Sequence, residues 1–150
     1  MSITLETEAF VALQRAANGL MEDIARLLKG YGLSPVQFNA LRILRGARPD
    51  ALTCGEVGER LITRDPDVTR LLDRMEKLGW VSRYRGVNDR RVVRVVISER
   101  GLALLAQLDE PVTELHRKQF AGLRERRTAS LVKLLDALLA SRTGPDASKM

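Results

Sequence analysis

The apolar positions of this chain change period along its length, from helical spacing to strand spacing and back. Phe10, Leu13, Ala17, Leu20, Ile24, Leu27 and Tyr31 recur in alternating steps of three and four residues. That spacing puts them on one face of a single long helix. A stripe this regular serves either an intramolecular core or a subunit interface, and Gly30 and Gly32 predict its end. Ser34-Pro35-Val36-Gln37 then reads as a compact helix start. Ser34 can cap, Pro35 suits the first helical position and Gln37 completes a capping box. Phe38, Leu41 and Leu44 give this helix its apolar face. Thr53-Cys54-Gly55-Glu56 repeats the capping pattern and predicts a short helix with Val57 and Leu61 inward. Asp65-Pro66 predicts the start of a further helix carrying Val68, Leu71, Leu72, Met75 and Leu78, which Gly79 stops.

The period then becomes two. Val81-Ser82-Arg83-Tyr84-Arg85 and Val92-Val93-Arg94-Val95-Val96-Ile97 read as strands, joined by the turn-prone, basic segment Gly86-Val87-Asn88-Asp89-Arg90-Arg91. Ser98 and Glu99 start another helix with Leu102, Leu105, Leu108, Val112 and Leu115 in phase. Pro111 is expected to kink or interrupt it. A last amphipathic helix carries Leu131, Leu134, Leu135, Leu138 and Leu139, and the tail from Thr143 to Met150 is expected to fray. The predicted fold is mainly α with a small β-hairpin. Three short helices followed by a basic hairpin form a winged helix-turn-helix, in which the third short helix suits a major groove and the hairpin reaches the backbone or minor groove. The recognition helix is expected to run from Asp65 to Leu78, with Asp67, Thr69 and Arg70 outward, Arg64 just before them and Arg74 one turn on.

Charge sharpens this picture. The 150 residues carry a formal +6, and +5 of it falls between Arg60 and Arg94. Nine of the ten basic residues in that window are arginine, the better partner for phosphate and guanine. Charge concentrated in one segment is the footprint of a polyanion-binding surface. A solvated face is the plainer explanation, in which Arg70 and Arg74 pair with Asp67 and Asp73. No apolar run is long enough for a membrane span, the start is not that of a secretory signal, and a cytoplasmic protein is expected. The single cysteine, Cys54, excludes an internal disulfide.

The sequence resembles the MarR (multiple antibiotic resistance regulator) family of transcription factors, from about Leu5 to Leu139. The resemblance is carried by Leu33-Ser34-Pro35-Val36-Gln37-Phe38, by Gly55-Glu56-Val57-Gly58-Glu59-Arg60-Leu61, by the run from Asp67 to Trp80, and by Asn88-Asp89-Arg90-Arg91 leading to Val95-Val96-Ile97-Ser98-Glu99-Arg100-Gly101. It implies one MarR-like domain over residues 1–150, with dimerisation helices at 5–31 and 99–141 and a winged-helix lobe at 34–98. It also implies an obligate homodimer on a palindromic operator in double-stranded DNA. Asp67, Val68, Thr69 and Arg70 fall at the family's base-reading positions. Asp89 and Arg91 fall on the wing's Asp-x-Arg motif, the aspartate ordering the wing and the arginine entering the minor groove. Arg85 and Arg90 are expected at phosphates. Asp67 departs from the small polar residue usual there, since an acid prefers cytosine and repels phosphate. Many family members release DNA when a small aromatic or phenolic effector binds between dimer core and DNA-binding lobe; Phe10, Asn18, Phe38 and Arg42 would border that site here.

Other functions leave little trace. His116 is the only histidine, with no metal-ligand spacing around it and no Gly-rich phosphate loop in the chain, so neither an enzyme nor a cofactor or metal is expected. A winged-helix protein-interaction adaptor is the remaining rival, but an adaptor has no need of a basic wing tip.

Overall fold

The computed structural model describes residues 2–143, so the expected frayed tail lies, from residue 144 on, outside the described residues. Helix α1 (Leu5–Lys29) begins five residues ahead of the first residue of the apolar stripe, because the Thr4 hydroxyl accepts the Thr7 N–H and caps it. Tyr31 falls beyond its end. There Gly32 takes a left-handed φ of +78°, Leu33 N–H reaches the Leu28 carbonyl at 3.1 Å, and both leucines are buried. The left-handed glycine and the apolar pair across it together form a Schellman stop. Helix α2 (Pro35–Ala47) carries the expected capping box, Ser34 Oγ accepting from Gln37 N–H at 3.2 Å and Gln37 Oε1 from Ser34 N–H at 2.9 Å.

A short strand, β1 (Leu52–Thr53), lies between α2 and α3 (Cys54–Arg60), where sequence periodicity gave no sign of one. Two residues cannot show a period. Thr53 also caps α3 in a second capping box with Glu56, at 3.1 and 2.8 Å. Helix α4 (Val68–Lys77) ends through Gly79, φ +79°, with Gly79 N–H to Glu76 O and Trp80 N–H to Met75 O. The chain enters β2 (Val81–Arg85) at once. Strand β3 (Val93–Ile97) is the centre of an antiparallel sheet in the order β1-β3-β2. The expected hairpin therefore gains a third strand, with Leu52 and Arg83 both registered against Val95. The core forms where α2, α3, α4 and the sheet meet, around Leu41, Leu44, Val57, Leu72, Met75 and Val95. Leu78 does not join it and is 43% exposed.

Helix α5 (Glu99–Phe120) runs through Pro111 without interruption. The proline withholds one N–H from the hydrogen-bond ladder of the helix, while buried Leu108 and Val112 on either side hold the turn in place. A 3-10 turn (Ala121–Leu123) precedes α6 (Arg124–Arg142). The chain's own contacts divide it into two compact units that part between Val112 and Thr113. The first holds α1 to α4, the sheet and the start of α5, with α1 packed against α2. The second holds the rest of α5 and α6, and no side chain of α6 is buried.

The joint between wing and α5 is tight. Ser98 donates its hydroxyl to the Gly79 carbonyl at 2.6 Å and accepts the Gly101 N–H at 3.1 Å. A methyl group at Gly101 would lie 2.4 Å from the Trp80 carbonyl oxygen and 2.7 Å from Ile97 Cγ1. Backbone cannot yield as a side-chain tip can, so Gly101→Ala is expected to destabilise the protein by about 1–3 kcal/mol. Urea unfolding monitored at Trp80 checks this, and an unchanged midpoint would show that the joint is looser than its geometry.

Candidate nucleic-acid interface

The turn between α3 and α4 is built by side chains that bind backbone. Asn39 on α2 accepts the Ile62 N–H at 2.9 Å and ties the turn to the first helix of the lobe. Asp65 Oδ1 accepts the Asp67 N–H at 2.8 Å, and Asp67 Oδ1 accepts the Arg70 N–H at 2.9 Å. The recognition helix thus starts at Val68 with Asp67 as its N-cap, three residues later than Asp65-Pro66 predicts. Asp67 faces the positive end of the helix, one carboxylate oxygen already engaged. It is a structural cap first, and only its second oxygen is open to a base.

Helix α4 sorts its side chains into three stripes. Leu71, Leu72 and Met75 are buried. Asp73 and Glu76 share a second face and both meet Arg83 on β2. The Arg83 guanidinium bonds Asp73 and lies 3.1 Å from Glu76 Oε1, while Arg83 N–H donates to Glu76 Oε2 at 2.9 Å. Arg83's side-chain hydrogen bond holds the Glu76 carboxyl below the usual carboxylate range, and Glu76's in turn raises Arg83 above the ordinary arginine value. Arg70, Arg74 and Lys77, spaced one helical turn apart, form the third stripe, and all three are exposed. The pairing of Arg70 with Asp67 and of Arg74 with Asp73 is not found. Asp67 takes a backbone N–H and Asp73 takes Arg83, so the outward arginines keep their donors for another anion. Thr69 and Arg64 are exposed near the same end of the helix, and Val68 is half-buried, its Cγ2 3.1 Å from where a methyl group on Gly58 would lie.

The wing tip is ordered from within. Asp89 Oδ1 accepts the Arg91 N–H at 3.0 Å, Val92 N–H reaches Asp89 O, and Gly86 N–H closes on Val92 O at 2.9 Å. Asp89 therefore fixes the loop through backbone and makes no ion pair with a wing arginine. Arg85 donates to the Arg90 carbonyl at 2.7 Å, which makes it a brace of the hairpin as much as a phosphate donor. The side chains of Arg90 and Arg91 point into solvent at the tip. Among the four residues expected at an effector site, Phe38 and Arg42 meet, the guanidinium 5.7 Å from the ring centroid, while Phe10 and Asn18 lie exposed on α1. Sequence reasoning missed Asn39 and Arg83 as site-building residues. Asn39 gives no local signal, and Arg83's acids become its partners only once β2 lies along α4.

Together these features make a winged helix-turn-helix lobe that presents a basic helix face and an arginine-tipped hairpin, the layout of a DNA-binding protein. The description "MarR family" matches residues 33–93. The homoprotocatechuate degradative operon repressor of Escherichia coli is 26% identical over 130 residues, which span 87% of this chain and 86% of that protein. A MarR transcription factor from Planctomyces limnophilus is 33% identical in its crystal structure, with a TM-score of 0.70 over 91% of this chain and 99% of that one. A mutant MarR from E. coli, solved in complex with operator DNA, is 26% identical with a TM-score of 0.80, over 91% and 99% of the two chains. The chain belongs to the MarR family and is a DNA-binding transcriptional regulator.

Asp67's two roles separate by substitution. Asn caps as well as Asp, so Asp67→Asn is expected to leave stability within a few tenths of a kcal/mol, whereas Asp67→Ala costs about 1 kcal/mol. Denaturant titration of the two variants decides, and equal losses would remove the capping role.

Proposed function

We propose that this protein is a repressor that binds a palindromic operator as a homodimer and releases it on binding a small aromatic or phenolic compound. The observation that carries the DNA-reading part is the unpaired basic stripe of α4 beside a wing whose tip arginines are free. In this reading Thr69 and Arg70 read base edges in the major groove, with Val68 against them and the open oxygen of Asp67 nearby, while Arg64 and Arg74 hold phosphates. Arg91 enters the minor groove, where a narrow A·T-rich tract concentrates negative potential. Arg90 meets phosphate, Arg85 braces the hairpin and shares in that contact, and Asp89 keeps the loop in shape. The similarity to a solved MarR–operator complex and to a named operon repressor supports both DNA binding and repression. No adaptor role accounts for the free tip arginines.

Homodimerisation is supported by apolar surface that one chain leaves open. On α1, Leu5 is 76% and Phe10 60% exposed, and on α6 Leu134 is 69% and Leu139 61% exposed. Rows of this kind call for a partner surface, and a second copy of the same helices supplies one. Two lobes would then meet successive major grooves about 10 base pairs apart. Phe38 and Arg42 offer a ring face and a cation suited to an aromatic acid, with Phe10 and Asn18 on α1 as further border residues. No described helix is long and apolar enough to cross a membrane, and binding to operator DNA supports a cytoplasmic site of action.

Selection of bound sequences from random duplex DNA tests the reading as a whole and is expected to return a palindrome. Arg91→Ala should weaken every operator variant, most where the flanks are A·T-rich, and Arg90→Ala should lower the slope of log affinity against log salt by about 0.9. If Arg91→Ala binds as tightly as wild type at physiological salt, the wing assignment is wrong. Sedimentation should find a dimer at micromolar concentration; a monomer would contradict the proposed assembly.

A further inference from the structure

Arg83 is half-buried at the base of the wing and makes contacts that neither base reading nor phosphate binding uses. Its guanidinium holds Asp73 and Glu76 together, and its backbone N–H bonds the second oxygen of Glu76. Strand β2 is an edge strand, so Glu76 also closes an amide that the sheet leaves open. The link therefore fixes the strand itself as well as one flexible side chain. Past the Tyr84–Arg94 pair, where β1 ends, the wing is a two-stranded ribbon with little rigidity of its own, and its tip lies two strand residues and a turn beyond Arg83, the middle residue of β2. That is a lever of about 14 Å, along which a rotation of about 10° at the base moves the tip by about 2 Å. Such a displacement is enough to break the hydrogen bonds of an arginine seated in a minor groove.

We infer that Arg83 is a positioning residue for DNA recognition: by clamping Asp73 and Glu76 it locks the wing to the recognition helix, so that Arg91 and the basic stripe of α4 engage two grooves as one rigid body. The inference rests on the DNA-binding reading of the wing. The clamp has a second effect on the same surface. Two carboxylates on a helix that approaches phosphates would repel them, and Arg83 offsets one of the two charges while it holds both groups at β2.

The test is a double-mutant cycle between Arg83→Gln and Arg91→Ala. Dissociation constants are measured on operators with A·T-rich and with G·C-rich flanks, and urea unfolding is run alongside so that affinities refer to folded protein. Arg83→Gln is expected to weaken the A·T-flanked operator about tenfold and to bring the ratio between flanks towards one. The selected central bases stay the same. The double variant should lose clearly less than the product of the two single losses, because a displaced tip has already forfeited the Arg91 contact and only the Arg90 phosphate contact and the uncovered carboxylates remain to be felt. Glu76→Gln, which leaves the clamp one acceptor of two and removes a negative charge, should likewise bring the flank ratio towards one whatever its effect on overall affinity, and guards against a folding defect peculiar to Arg83→Gln. A stabilising role without positioning would lower the unfolding midpoint and leave the flank ratio intact. That result, or losses that multiply in the double variant, overturns the inference. An Arg91→Ala protein indistinguishable from wild type on both flanks overturns instead the reading of the wing on which it rests.

Discussion

Strand β3 holds the lobe together because it pairs with both ends of the helix-turn-helix at once. Strand β1 runs straight into the cap of α3, and β2 follows α4 after a single glycine turn. Both strands lie against β3, with Leu52 and Arg83 opposite the same residue, Val95. Helices α3 and α4 are therefore closed into a loop whose ends cannot drift apart without breaking the sheet. The Asn39 bond to Ile62 and the two aspartate caps before α4 fix the inside of that loop. The Ser98 bridge to Gly79 then joins the sheet to α5. Buried valine and leucine supply the cohesion of the lobe, and these few polar bonds set its register.

Function follows from how charge is divided on this frame. Helix α4 carries acids and bases in nearly equal number, which in isolation would pair along its surface. Packing β2 against one face draws Asp73 and Glu76 to Arg83 and leaves Arg70, Arg74 and Lys77 outward. The helix becomes basic on one side because its acids are engaged on another. The same division operates at the tip, where Asp89 is held by backbone and Arg91 is left free. In each case an acid that would repel phosphate has been given an internal task.

Much of this was legible from residue order. The two capping boxes, the glycine stops of α1 and α4, and the strand limits of β2 depend on neighbours a few residues away, and the sequence spells them out. What was not legible depends on residues brought together by folding. Two residues of β1 are a strand only because β3 lies beside them. Asp65-Pro66 reads as the start of α4, yet the cap is Asp67, whose N–H Asp65 accepts. Pro111 reads as a helix breaker, yet buried side chains on both sides carry α5 through it. Arg83 reads as one more basic residue in a basic window until the packing of β2 on α4 gives it two carboxylates. The resemblance to the MarR family pointed to residues of α4 and the wing, while packing alone shows which of them are free.

The central claim is that recognition helix and wing address DNA as a single unit, one in the major groove and the other in the flanking minor groove. A hydroxyl-radical footprint on a selected operator tests this most directly, since it reports protection of each sugar along both strands. The account predicts protected sugars in the minor-groove tracts on both outer flanks of the bases fixed by selection, arranged with twofold symmetry. Protection confined to the sugars over the selected bases, with the flanks fully cleaved, would contradict it.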